Sequence, residues 1–115
     1  MAYDEDLADR LRDVVEGKAG VTEKRMFGGL GILIDGHLAI SASSRGGLMV
    51  RVDPAQAESY LAEPHVHRFE MRGREMKGWL DVAADAVRTR DELARWATLA
   101  VAYARSLPAK EGQRR

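Results

Sequence analysis

Apolar residues recur along this chain with two different periods. Leu7, Leu11, Val14 and Val15 stand at i, i+4, i+7 and i+8, one face of a helix, so a helix is predicted over residues 4–16. Asp4, Glu5 and Asp6 set negative charge against the positive end of its dipole. Gly17 and Gly20 supply stop signals. The period then shortens to two. Ile34-Asp35-Gly36-His37 is a hairpin signature, because a type I′ turn needs positive φ at both central residues. The expected register pairs Leu33 with Leu38, Ile32 with Ala39 and Gly31 with Ile40. It assigns Leu33, Gly31, Leu38, Ile40 and Ala42 to the core face. A turn at Ser44-Arg45-Gly46-Gly47 leads into residues 48–52, where Leu48, Val50 and Val52 alternate with Met49 and Arg51 as in a half-buried strand.

The second half adds a short helix, two strands and a long helix. Asp53 as N-cap, Pro54 at the first helical position and Gln56 in a capping-box pattern open a short helix that Glu63-Pro64 ends. Strands are predicted over residues 65–71 and 76–82 around a turn at Arg72-Gly73-Arg74-Glu75. Thr89-Arg90-Asp91-Glu92 is a second capping box. It begins a long helix with Leu93, Trp96, Ala97, Ala100, Ala104 and Leu107 on one stripe and Pro108 at its close. Residues 1–108 thus read as one domain and residues 109–115 as a flexible basic tail. Strands in hairpin blocks, with helices at the start, middle and end, indicate a two-layer α+β fold with a mostly antiparallel sheet.

Composition narrows the chemistry. A length of 115 residues suits one domain, and the absence of cysteine excludes disulfides, thiolate metal sites and a cysteine nucleophile. No apolar run approaches the roughly 18–20 residues of a membrane span and no leader opens the chain, so a cytoplasmic protein without a membrane partner is expected. Eighteen basic residues balance eighteen acidic ones, which argues against a general nucleic-acid binder. The balance is uneven along the chain: residues 1–20 carry net −3, residues 64–78 net +2 and residues 105–115 net +3.

Several blocks then point to a known family. Lys24-Arg25-Met26-Phe27-Gly28-Gly29-Leu30-Gly31-Ile32, the Asp35-Gly36 hairpin, Val50-Arg51-Val52-Asp53, Met76-Lys77-Gly78-Trp79-Leu80-Asp81-Val82 and Asp91-Glu92-Leu93-Ala94-Arg95-Trp96 together resemble the N-terminal domain of the TfoX/Sxy family of competence regulators. The resemblance covers residues 7–107. It implies a small two-layer α+β fold and a cytoplasmic, non-enzymatic protein, linked in some relatives to transcriptional control of DNA uptake. Those relatives carry a second, C-terminal domain, and this chain corresponds to the first. The resemblance brings no catalytic residues with it.

Candidate sites are few. Gly28-Gly29-Leu30-Gly31 precedes a strand and lacks a following Lys-Ser/Thr, so it reads as a bulge, a bend or a close backbone approach instead of a phosphate loop. The same context leaves no strand–loop–helix unit for a nucleotide-like cofactor, and no cofactor is expected. No serine occupies a nucleophile elbow. His65 and His67 have metal-like i, i+2 spacing, with His37 or Glu70 needed as a further ligand. The parity of His67 with Phe69 and Met71 favours a histidine turned to the core. Arg68, Arg72, Arg74 and Lys77 make a basic hairpin, first a solvated surface and second a nucleic-acid contact shared with the tail. Met76, Leu80 and Val82 are assigned to one sheet face and Trp79 to the other. Ile32, Ile34, Met49 and Trp79 are expected to form an apolar face left uncovered by the helices. The leading functional expectation is a protein-interaction module with a protein partner or a homodimer. Small-ligand or metal binding through His65 and His67 follows, and nucleic-acid contact through residues 68–77 comes third.

Overall fold

A computed structural model of the chain describes residues 4–26 and 28–108. The expected basic tail, residues 109–115, lies outside them. Asp4 opens the first helix, α1 (Glu5–Val15), by accepting the Leu7 amide at 3.1 Å. Four strands follow: β1 (Val21–Met26), β2 (Gly29–Ile34), β3 (His37–Ala42) and β4 (Leu48–Arg51). A 3₁₀ turn (Pro54–Gln56) and the short helix α2 (Ala57–Leu61) lead to β5 (Val66–Met71) and β6 (Arg74–Val82). The long helix α3 (Arg90–Ser106) closes the domain. The six strands form one antiparallel sheet in the order β1-β2-β3-β4-β6-β5, an α+β architecture.

Local chemistry accounts for the joints. Asp35 and Gly36 both take positive φ between β2 and β3, and Arg72 and Gly73 do so between β5 and β6. Such pairs suit the twist of tight hairpins. The Thr89 box closes in full: Thr89 Oγ1 accepts the Glu92 amide at 3.1 Å and the Glu92 carboxylate accepts the Thr89 amide at 2.9 Å. The Asp53 box does not. Asp53 accepts the Ala55 amide at 2.9 Å, while the Gln56 side chain turns outward to accept the Tyr60 hydroxyl at 3.3 Å.

The helices cover one face of the sheet. Leu7, Leu11 and Val15 of α1 and Leu93, Trp96, Ala97, Ala100, Val101 and Ala104 of α3 pack on Ile32, Ile34, Ile40, Leu48, Val50, Leu80 and Val82. Arg10 fastens α1 to the segment that precedes α3 by donating to the carbonyls of Val87 (2.7 Å) and Arg88 (3.1 Å). Ile32 and Ile34 are thus fully buried core residues and not part of an uncovered face. The cause is a β-bulge. Leu33 pairs with Leu38 as expected, but the register shifts at Ile32, which pairs with Ile40 instead of Ala39, and Gly31 pairs with Ser41. The extra residue turns Ile32, Ile34 and Ile40 together toward the helices and leaves Leu33 and Leu38 half-buried. That arrangement removes more apolar surface from water than the predicted one.

A second irregularity moves Met76. Arg68 pairs with Leu80 but Glu70 pairs with Glu75, and Gly78 within the skipped stretch has φ +80°. A Cβ there would lie 3.1 Å from both the Val52 carbonyl oxygen and Pro54 Cγ, so the position favours glycine twice over. The interruption breaks the alternation, and Met76 joins Trp79 on the face away from Leu80 and Val82.

Candidate interaction surface

The face opposite the helices is a trough. Met26 belongs to β1 and Met71 to β5, the two edge strands of the sheet, yet both line one groove of about 330 Å³. The sheet therefore coils far enough for its edges to share a hollow. Leu38, Met49, Phe69, Met76 and Trp79 complete the apolar lining, with Arg51 at its margin. Met49 and Phe69 form the deep part, at 6% and 5% exposure, while Met76, at 39%, is the one exposed large apolar side chain among the described residues. All four described methionines lie here.

Glycines make the hollow possible. A Cβ on Gly29 would sit 2.3 Å from the Ala42 carbonyl oxygen, and one on Gly31 would sit 2.8 Å from Leu38 Cδ1 and 3.3 Å from Met26 Sδ. The Gly-Gly-Leu-Gly block thus permits close approach by the neighbouring strand and lets Leu38 and Met26 lie across bare backbone. It continues directly into β2 and has no helix N-terminus behind it.

The charges of this face differ from those elsewhere. Arg51 stacks over the Trp79 ring at 5.4 Å and over Tyr103 at 5.7 Å. Arg45 lies over Phe69 at 4.9 Å and donates to the Glu70 carbonyl at 2.7 Å. Register places Lys24 beside Gly31 and Arg74 beside Met71, on the same face. Asp81, between Met49 and His67, is the carboxylate that the register adds to them. None of the ion pairs among the described residues uses Lys24, Arg45, Arg51 or Arg74. The arginines that do pair, such as Arg12 with Glu23 at 3.0 Å and Arg95 with Glu63 at 2.6 Å, serve the helices and their junctions with the sheet. Hydrogen bonds from Arg95 hold the Glu63 carboxyl below its ordinary range against the opposing effect of burial.

The remaining candidates are dispersed. His65 sits in the turn before β5 with φ +65°, beside a hollow of about 200 Å³ lined by Glu63, Asp85, Glu92, Arg95 and Trp96. His67 is exposed on the groove side of β5, because it is Val66 that faces the core. The two imidazoles therefore do not share a strand face. His37 lies at the β2–β3 turn, where its Nε2 meets the Pro108 carbonyl. Among the described residues no group of three or more His, Cys, Asp or Glu is placed to hold a metal ion. Arg68 leaves the expected basic cluster: it bonds Glu58 of α2 and lies 3.8 Å from Glu75. Arg72, Arg74 and Lys77 remain exposed on the hairpin. A larger cavity of about 540 Å³ lies between the end of α1 and β1, but Arg12 bridges Asp9 and Glu23 across it and most of its lining is charged. Among the described residues no helix is long and apolar enough to cross a membrane.

Residues 13–104 match the family described as the TfoX N-terminal domain. The chain belongs to that family. The TfoX N-terminal domain match runs from within α1 to near the end of α3, so every residue named in the groove falls inside it. No curated protein matches the chain.

Sequence reasoning placed Met49 and Trp79 on one face but missed Met26, Leu38, Phe69, Met71 and Met76 beside them. A signal was present. Every methionine after Met1 falls in a strand segment, and none falls in a helix. Methionine is a gap-filling side chain without strand preference, so its confinement to strands marks a surface with an adaptable lining.

Proposed function

We propose that this TfoX N-terminal domain is a non-catalytic protein-interaction module, an accessory in transcriptional control of competence, and that it engages its partner through the groove on the open side of the sheet. The observation that carries the reading is the groove itself: flexible methionines and two aromatics form an apolar floor, under a margin of bases that enter no ion pair among the described residues. Surfaces rich in methionine, aromatic residues and arginine are characteristic of protein contacts. The basic margin favours a different protein over a second copy, because an isologous dimer would set like charges against each other.

A photo-crosslinking residue at Met76, compared with one at Asp91 on α3, tests this in cells of the source organism. The reading expects a discrete protein adduct from position 76 and none from position 91. Adducts of equal yield from both positions, or from neither, would contradict it. Light scattering on wild type and on Trp79→Glu addresses self-association: the reading expects a monomer mass for both.

A further inference from the structure

The groove has a chemical preference as well as a shape. Four bases border it: Lys24 on the edge strand β1, Arg74 at the start of β6 beside the opposite edge, Arg51 at one margin and Arg45 from the β3–β4 loop. Asp81 is the carboxylate that the register sets against them. The floor between is apolar, and its most exposed part is Met76. Elsewhere in the fold Arg12, Arg68, Arg88, Arg90 and Arg95 meet carboxylates, and Arg10 and Arg105 donate to backbone carbonyls. We infer that the groove takes a segment of another protein that combines bulky apolar side chains with aspartate or glutamate, the apolar groups resting on Met49, Phe69, Met76 and Trp79 and the carboxylates meeting Lys24, Arg51 and Arg74. This inference rests on the interaction reading above and adds the chemistry of the occupant.

Single-stranded nucleic acid would also be drawn to bases bordering aromatics, but it needs open ring faces on which nucleobases stack. Here Arg45 occupies one face of the Phe69 ring and Arg51 one face of the Trp79 ring, and Phe69 is only 5% exposed. Both aromatics already carry a guanidinium stack, and the rest of the floor is thioether and leucine. Such a floor suits side chains of a peptide, as helix-in-groove recognition does with apolar anchors and charged flanks.

The test is a display library of random 16-residue peptides selected on the full chain. Selected peptides are then measured against Lys24→Glu/Arg74→Glu, which alters exposed side chains, and against Met76→Ser and Trp79→Ser. Thermal melts confirm that each variant folds. Thymidine and uridine 20-mers are titrated in parallel. Selected peptides are expected to pair bulky apolar residues with an excess of Asp and Glu. Their affinity for the wild-type chain should weaken as salt rises, and on the charge-reversed double variant it should fall on the order of tenfold. Peptides that need Met76 and Trp79 but show no acidic bias, or that bind the double variant equally well, would overturn the inference and leave the interaction reading standing. Peptides indifferent to Met76 and Trp79 would overturn both. Oligonucleotides that bind more tightly than the peptides and displace them would overturn the inference in favour of nucleic acid.

Discussion

On its helix side the sheet presents Ile32, Ile34, Ile40, Leu48, Val50, Leu80 and Val82, while on its open side it presents Met26, Met49, Phe69, Met71 and Trp79. Branched aliphatic residues have few rotamers and pack into one arrangement, which suits a permanent core. Methionine has three rotatable bonds and a polarizable sulfur, which suits a surface that must fit something brought to it. The charges divide in the same way. Arginines on the helix side are paired, as in the Arg95–Glu63 and Arg90–Asp13 contacts that tie distant segments. Arg45 and Arg51, which border the groove, lie over aromatic rings and enter none of the ion pairs among the described residues. One sheet thus separates the residues that hold the fold from those available to a partner.

Substitutions should respect this division. Trp96 is fully buried and meets Tyr60 edge-on at 5.7 Å, so Trp96→Ala should cost about 3–5 kcal/mol in denaturant unfolding. Met76→Ala should cost no more than about 0.5 kcal/mol. Equal costs would break the comparison, because the open face would then be part of the core. Gly29→Ala comes next. Its Cβ would lie 2.3 Å from the Ala42 carbonyl oxygen, and strands β2 and β3 must separate to admit it, at roughly 1–3 kcal/mol. Thr89→Ala removes the N-cap of α3 and should cost about 1 kcal/mol by the same assay.

The smallest expected effect depends on pH. Arg95 lowers the folded-state pKa of Glu63, so the pair adds stability above the unfolded carboxylate pKa and loses it as pH falls through the folded value. Both side chains are partly exposed, which limits the contribution to about 0.2–1 kcal/mol. Glu63→Gln should therefore be slightly less stable than wild type at neutral pH and converge with it in acid. A difference that persists unchanged in acid would show that packing, and not the ion pair, holds this junction.

Much of the fold was legible in the sequence because local signals agreed with it. The acidic opening of α1, the Thr89 cap, the Asp35-Gly36 turn and the stripe from Leu93 to Ala104 depend on neighbours within a few residues, and all appear where expected. The faces of β2, β3 and β6 were less legible. Period-two alternation holds only while the register is continuous, and one inserted residue reverses every later assignment. The bulge at Ile32/Leu33 put Ile32 and Ile34 into the core, and the interruption at Gly78 put Met76 outside it. Nor does sequence reveal that the sheet coils until β1 and β5 share a hollow, which is why Met26 carried no face assignment and Phe69 and Met71 were read toward the core instead of the groove.

The division between the two faces can be read directly, because the four described methionines all line the groove and none lies under the helices. A methyl spectrum of the chain labelled at methionine and leucine, recorded with and without a selected peptide, reports each face separately. The account predicts that Met26, Met49, Met71 and Met76 shift while Leu11, Leu48 and Leu93 of the core stay in place. Leucine methyls that shift while the methionines remain still would contradict it.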